Sequence, residues 1–358
     1  MAPGHMRTWQ SLRGALLLAA ATAAIGAAII LFAENYQVRL AVAAYLNLIM
    51  VIGLQIFMGN SNVANLSHSG FAGLGAYMTA IFATPVVIKK TIIPNAPFGI
   101  AEIELGTVPS FFVAVVITAA IAFIVGLVLV RLSGIAATIL TLAILVITNS
   151  IFVYWVDLFR GAQAFYGIPK VVDLPILIAA AAVAIVIARL FKDSKSGVQL
   201  RASADDELAA KAMGVEVRRM RLIAWTIGTT IAAVGGILTA YYLGTINPRG
   251  FHFHAVFLTL AMLILGGMRS VTGAVVGVTV ISVAMELIRG VESGPEILGV
   301  KLPELLGLSG LSLGIIIVGF MCLRPDGIMS GDELDDVIGR VLRKRRAAAR
   351  IGGAQSRG

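Results

Sequence analysis

The chain is poor in charge. Asp, Glu, Lys and Arg make up only 13% of its 358 residues and hydrophobic residues 58%, with a mean hydropathy of +0.93. A soluble surface ordinarily carries about twice that charge fraction, so this chain cannot cover one, and the lipid bilayer is its default solvent. The single cysteine, Cys322, excludes an internal disulfide and any cysteine-cluster metal site; it is expected to pack in the last helix. The sequence has no Gly-x-x-x-x-Gly-Lys-Ser/Thr phosphate loop. Nor does it hold a Ser/His/Asp set, paired intramembrane carboxylates or a His/Glu metal spacing, which argues against covalent chemistry. What it has in quantity is glycine, 38 residues, and methionine, 12. Both suit helices packed closely in lipid, where small residues let backbones approach.

Apolar runs long enough to cross about 30 Å of hydrocarbon recur along the chain. They lie at 14–33, 38–58, 70–88, 109–130, 134–156, 173–191, 222–243, 255–267, 271–289 and 309–323. This gives an all-α polytopic protein of about ten spans, the eighth and tenth short enough that eight or nine is an alternative count. With the N-terminus in the cytoplasm, ten crossings put Arg7, Arg13, Arg131, the loop 192–221, Arg269 and the basic tail Arg343-Lys344-Arg345-Arg346 on one side. Glu34, Glu102, Glu104, Asp157, Glu292 and Glu296 fall on the other. Basic residues inside are what membrane insertion favours. The net charge of +9 is thus topology signal, with the tail attracted to anionic headgroups and no nucleic-acid partner implied. The first apolar run exceeds the roughly 7–15 residues of a signal-peptide core and reads as an uncleaved helix. The chain divides into a leader, 1–13, a transmembrane domain, 14–330, and a basic cytoplasmic tail, 331–358.

Two stretches interrupt the pattern. Between the second and third runs, Gly59 to Tyr77 is polar and glycine-rich, yet enters the next apolar run without a charged loop. Non-helical backbone at membrane depth is tolerated only where protein or a water-filled cavity satisfies it, and such breaks border substrate sites in transporters. Asn65, Ser67, His68 and Gly70 are therefore candidates for a solute pathway. The alternative is a short turn followed by a small-residue packing face, with His68 a satisfied hydrogen-bonding residue. A second break, Leu265 to Gly277, joins the eighth and ninth runs and echoes the first. Phe251-His252-Phe253-His254 reads as an interfacial aromatic anchor.

The third departure is the polar stretch 192–221. Ser203 or Asp205 is placed to cap a helix there, with Asp205, Asp206 and Glu207 in the first turn, where the helix dipole favours negative charge. Gly214 supplies the stop. The product is a helix of about nine residues, too short to be stable alone in water. It must dock on something or lie on headgroups with the support of Arg218, Arg219 and Arg221.

The residues Glu207-Leu208-Ala209-Ala210-Lys211-Ala212-Met213-Gly214-Val215 are similar to the Glu-Ala-Ala…Gly coupling motif of ABC-importer permeases. Leu200 to Asp206 resembles the form it takes in the branched-chain amino-acid permease family, urea- and amide-type paralogues included. Four further stretches resemble that family in the right order. They are Leu66 to Tyr77, Arg131 to Ala143, Leu265 to Gly273, and Arg324-Pro325-Asp326-Gly327-Ile328. Together they cover roughly residues 40–330.

The resemblance implies a multi-pass subunit of the bacterial inner membrane with both termini cytoplasmic and the type II importer fold. It implies as partners a second, similar permease, two ABC ATPase subunits and a periplasmic solute-binding protein. No cofactor is implied for this chain; ATP and Mg belong to the ATPase partners. Glu207, Ala209, Ala210 and Gly214 carry over as coupling residues. The family often has Ser-Phe-Gly-His or Ser-Leu-Gly-His where this chain has Asn65-Leu66-Ser67-His68, and the added polarity makes urea, a short amide or another amino acid an alternative to a branched-chain substrate. An ion-coupled transporter or channel is the rival from another class. Such proteins usually hold ionisable residues in their spans; here the spans are almost devoid of them, Glu286 near the outer end of the ninth being the clearest exception.

Overall fold

The computed structural model describes residues 4–292, 296–297, 300–301, 307–324, 326–329 and 331–335. In lipid every backbone polar group must be paired within its own segment, and the apolar runs accordingly become helices. In chain order they are α1 (Gly4–Phe32), α2 (Asn35–Ser61), α3 (His68–Ala83), α4 (Val86–Ile92), α5 (Thr107–Leu129), α6 (Gly134–Tyr154), α7 (Val156–Phe159), α8 (Leu174–Asp193), α9 (Lys195–Asp205), α10 (Glu207–Ala212), α11 (Val217–Leu243), α12 (Phe253–Gly266), α13 (Val271–Glu292) and α14 (Leu308–Leu323).

Among the described residues, eight helices are long and apolar enough to cross a membrane: α1, α2, α5, α6, α8, α11, α12 with the turn before it, and α13. The third apolar run is a broken element. The chain bends by 118° between α3 and α4, because Pro85 cannot continue a helix and holds Thr84 extended at φ −71°, ψ 136°. Counted as one, the pair makes a ninth span. The tenth run yields α14, with 16 residues, fewer than the roughly 20 a crossing needs. The basic tail 343–346 and Pro325 lie outside the described residues. Cys322, expected to pack, is exposed.

The centre of the bundle is α11, which packs on α2, α3 and α5. Trp225 is fully buried there; its indole N–H donates to Ala122 O at 2.9 Å, and its ring stands edge-on to Phe57 and Phe71 at 5.4 and 5.8 Å. Backbones touch where side chains vanish: a Cβ on Gly236 would sit 1.8 Å from Ala72 O, and one on Gly277 1.8 Å from Met262 O. The glycine abundance thus binds α3 to α11 and α12 to α13, the close packing available where burial against lipid gives no hydrophobic gain.

One end of the bundle gathers the end of α2, the end of α9 and the α12–α13 turn around a cavity of about 400 Å³ lined by Gly59, Asn62, Arg201, Asp205, Arg269 and Asp332. Gly14 on α1 also lies at this end, where a Cβ on it would sit 3.0 Å from the carboxyl carbon of Asp335. The opposite end holds the start of α2 and the end of α13, joined by a hydrogen bond from Tyr36 to Glu286. This is the grouping of loops that ten-span parity expects from the charges.

Candidate functional site

The polar stretch 192–221 folds into two short helices. Ser194 caps α9 by accepting from Gly197 N at 3.2 Å, and Arg201 anchors it, donating to Asn60 Oδ1 at 2.8 Å and Lys192 O at 2.7 Å. Asp206 then leaves the helix, at φ −148° and ψ 105°, and restarts it by accepting from Leu208 N at 2.9 Å and Ala209 N at 3.0 Å. The cap is therefore Asp206. Ser203 is buried and donates to Leu200 O, and Asp205 ends α9 and pairs with Arg269 at 3.3 Å. Helix α10 has six residues, shorter than expected, because the restart falls later. Gly214, at φ +79°, stops the chain in a conformation that costs other residues more.

The two faces of α10 differ sharply. Glu207 turns inward, 2.8 Å from both Lys211 Nζ and Arg221 Nη2. The Lys211 hydrogen bond is the largest influence on the Glu207 carboxyl; burial opposes it, and the hydrogen bond and charge of Arg221 then help hold the group below its ordinary range. Arg221 is buried against this pair and also reaches Leu132 O at 3.5 Å, so it braces α10 on the α5–α6 turn instead of lying on headgroups. Ala210 is buried beneath the helix. Outward stand Ala209, Ala212, Leu208 at 80% exposure and Met213 at 85%. Of the four coupling candidates, Glu207 and Ala210 build the helix onto the protein, Gly214 ends it, and Ala209 belongs to its free face. Leu208 and Met213, given no such role in the sequence, are the most prominent residues of that face.

Beside this loop runs a strap, residues 326–329 and 331–335. Ile328 N and Met329 N donate to Leu265 O and Gly266 O at 2.9 and 3.0 Å, closing open carbonyls of α12. Glu333, almost fully enclosed, caps α13 by accepting from Val271 N and Thr272 N, each at 3.1 Å. Its carboxylate also meets Arg189 Nη1 at 2.9 Å and Lys192 Nζ. Burial pushes the Glu333 carboxyl up, but Lys192 and Arg189 together outweigh it and hold the pKa below the ordinary 4.5.

The break between α2 and α3 is largely enclosed by protein from Val63 onward, with Asn62 exposed. Asn62 ends α2 at φ +54°, and residues 62–67 run without helix into α3. Asn65 Oδ1 accepts from Ser67 N at 3.0 Å and Ser67 Oγ at 2.9 Å. His68 Nδ1 lies 3.0 Å from Asn65 O and Nε2 2.7 Å from Thr259 Oγ1. Asn65, Ser67 and His68 are at most 1% exposed. Gly70 faces Thr148 and Leu145 at ordinary contact distance. The structure thus brings the four pathway candidates together at the α3, α6 and α12 contact, with their polar groups turned on one another. The polarity of Asn65 and Ser67 is used locally and carries no argument for a more polar solute. His252 and Phe253 make a ring contact of 4.3 Å, and among the described residues no group of three or more His, Cys, Asp or Glu could hold a metal ion.

By architecture the chain is a polytopic helical membrane protein with a broken segment between α2 and α3 and a charged, helix-bearing loop between α8 and α11. Residues 36–317 match the family model described as "Branched-chain amino acid transport system / permease component", and the chain belongs to that family. It is 24% identical over 326 residues to the high-affinity branched-chain amino acid transport system permease protein LivM of Escherichia coli, covering 82% of this chain and 69% of that one. The similarity to the corresponding LivH of Salmonella typhimurium is 28% over 144 residues, 40% of this chain and 42% of that one. A probable branched-chain amino acid transport permease protein LivH of Methanocaldococcus jannaschii is 30% identical over 99 residues, 28% of this chain and 31% of that one. No solved structure gives a significant match.

Proposed function

We propose that this chain is the membrane-spanning subunit of an ATP-driven importer of branched-chain or related amino acids, and that α10 with its flanks, residues 203–215, transmits the action of a separate ATPase. The single observation that carries the reading is the free face of α10. Leu208 and Met213 stand in the open on a helix whose other side is fastened by Glu207 and Arg221. A six-residue helix cannot persist by itself. Here ion pairs hold it rigid while its apolar side stays free, an arrangement suited to a partner's groove.

In this reading the end of the molecule bearing α9, α10 and the strap faces the cytoplasm, with both termini on that side of the inner membrane. Two ATPase subunits bind and hydrolyse ATP with Mg, a second permease completes the passage, and a periplasmic binding protein delivers the solute. Asn65, Ser67, His68 and Gly70 belong to a passage closed in this conformation, where α3 would part from α6 and α12. Purification of the tagged chain from native membranes tests the assembly. Co-purification of ATPase subunits and a second permease is the expected result; recovery of the chain alone, in detergent that keeps importers intact, would refute it.

A further inference from the structure

At the end of the bundle away from α10, three adjoining cavities of about 570, 60 and 340 Å³ share Ala43 on α2. The outermost is lined by Tyr36, Arg39, Glu286 and Arg289. Glu286 and Arg289 also line the middle one, together with Asn47, Leu258, Met262 and Met285. Asn47, His254 and Leu258 continue into the third, toward Tyr242 and Asn247. The groove therefore begins at three charged side chains and runs inward along a wall of leucine and methionine with single polar groups.

The charges are arranged for use. Tyr36 donates to Glu286 and so orients its carboxylate, and Arg289 lies 3.8 Å from the other carboxylate oxygen. Arg39 makes no ion pair among the described residues, so its guanidinium is available. Ionisable groups within spans are costly and mark solute routes. An ammonium matches Glu286, and a carboxylate matches a guanidinium, which binds it through two parallel hydrogen bonds. A neutral solute such as urea or an amide would displace water from three ions without replacing it by charge, a poor exchange.

Resting on the importer reading above, we propose that this groove is the chain's own solute-recognition site, taking a zwitterionic α-amino acid with an apolar side chain. Glu286 receives the ammonium, Arg39 and Arg289 receive the carboxylate, and Leu258, Met262 and Met285 face the side chain.

The test is the initial rate of radiolabelled L-leucine uptake in cells expressing the complete transporter, compared per molecule of membrane-inserted protein. Loss of one charged contact should lower uptake about tenfold or more in Glu286→Gln and Arg39→Gln, and Arg39→Lys, which keeps the charge, should retain most of it. A second readout does not depend on the variants' transport: with Cys322→Ser as background, Ser282→Cys places a thiol in the middle cavity, and leucine should slow its alkylation. Adding Glu286→Gln should remove that protection. Unchanged uptake in both charge variants, with alkylation indifferent to leucine, would overturn the site. Absence of leucine uptake by the unmodified transporter would overturn the importer reading itself, so the two failures are distinct.

Discussion

Arg189 and Glu333 meet at 2.9 Å with side chains only 8% and 4% exposed, joining the end of α8 to a strap that follows the last helix. Glu333 simultaneously caps α13 and meets Lys192, so one carboxylate ties two spans and the root of the loop that carries α9 and α10 together.

Removing that charge should be costly. Glu333→Gln leaves Arg189 and Lys192 enclosed with less compensation, and breaking a buried ion pair costs roughly 3–5 kcal/mol. A clear fall in the thermal midpoint of the detergent-purified protein is expected. Because its folded pKa is depressed below 4.5, Glu333 contributes stability that is present above the unfolded value and lost as pH falls through the folded one. The difference in midpoint between wild type and Glu333→Gln should therefore shrink as pH is lowered below about 4.5.

The free face of α10 should matter for partners and little for folding. Leu208→Ser and Met213→Ser remove exposed apolar groups, so the midpoint should stay nearly constant. If they anchor an ATPase groove, each should weaken its capture by roughly 2 kcal/mol, about thirtyfold. Pull-down at graded ATPase concentration measures this; equal capture by wild type and variants would remove α10 from the interface.

Backbone contact between α3 and α11 requires an absent side chain. Gly236→Ala puts a methyl group 1.8 Å from Ala72 O, where only backbone movement can relieve it. Overpacking of this kind costs about 1–3 kcal/mol, and a reduced folded yield in size-exclusion profiles is expected, whereas a similar change at Gly290, which has open space, should be silent.

Thr259→Val tests the enclosed break. It keeps the shape but leaves His68 Nε2 without the partner it has at 2.7 Å, a loss of about 1–3 kcal/mol for a buried polar group. A structural role predicts a lowered midpoint with uptake per molecule retained; a role in the passage predicts that uptake falls as well.

How far the sequence led depended on which forces were local. The spans were readable because lipid leaves the backbone no option but helix, and the bend at Pro85 lay in a visible signal that a continuous 70–88 run passed over. Gly214 was legible as the stop of a helix with Glu207 in its first turn, but the exchange of cap from Ser203 or Asp205 to Asp206 depended on where α9 ended, which the capping residues alone do not fix. That Leu208 and Met213 would stand free, and that Arg221 would be buried, follows from tertiary contacts with Leu132 and Glu207. Glu333 gave no local signal: its meaning lies in Arg189, Lys192 and Thr272, brought to it by the fold. Tyr36, Arg39 and Glu286 likewise come together only when α2 lies beside α13.

The central claim is that solute moves at the expense of ATP. Its most direct test is uptake of radiolabelled L-leucine, with its binding protein, into proteoliposomes holding the purified complete transporter, with ATP and Mg supplied to the ATPase side and ion gradients collapsed by ionophores. The account predicts uptake that needs hydrolysable ATP and is indifferent to the ionophores. Uptake that persists without ATP and disappears with the ion gradient would contradict it.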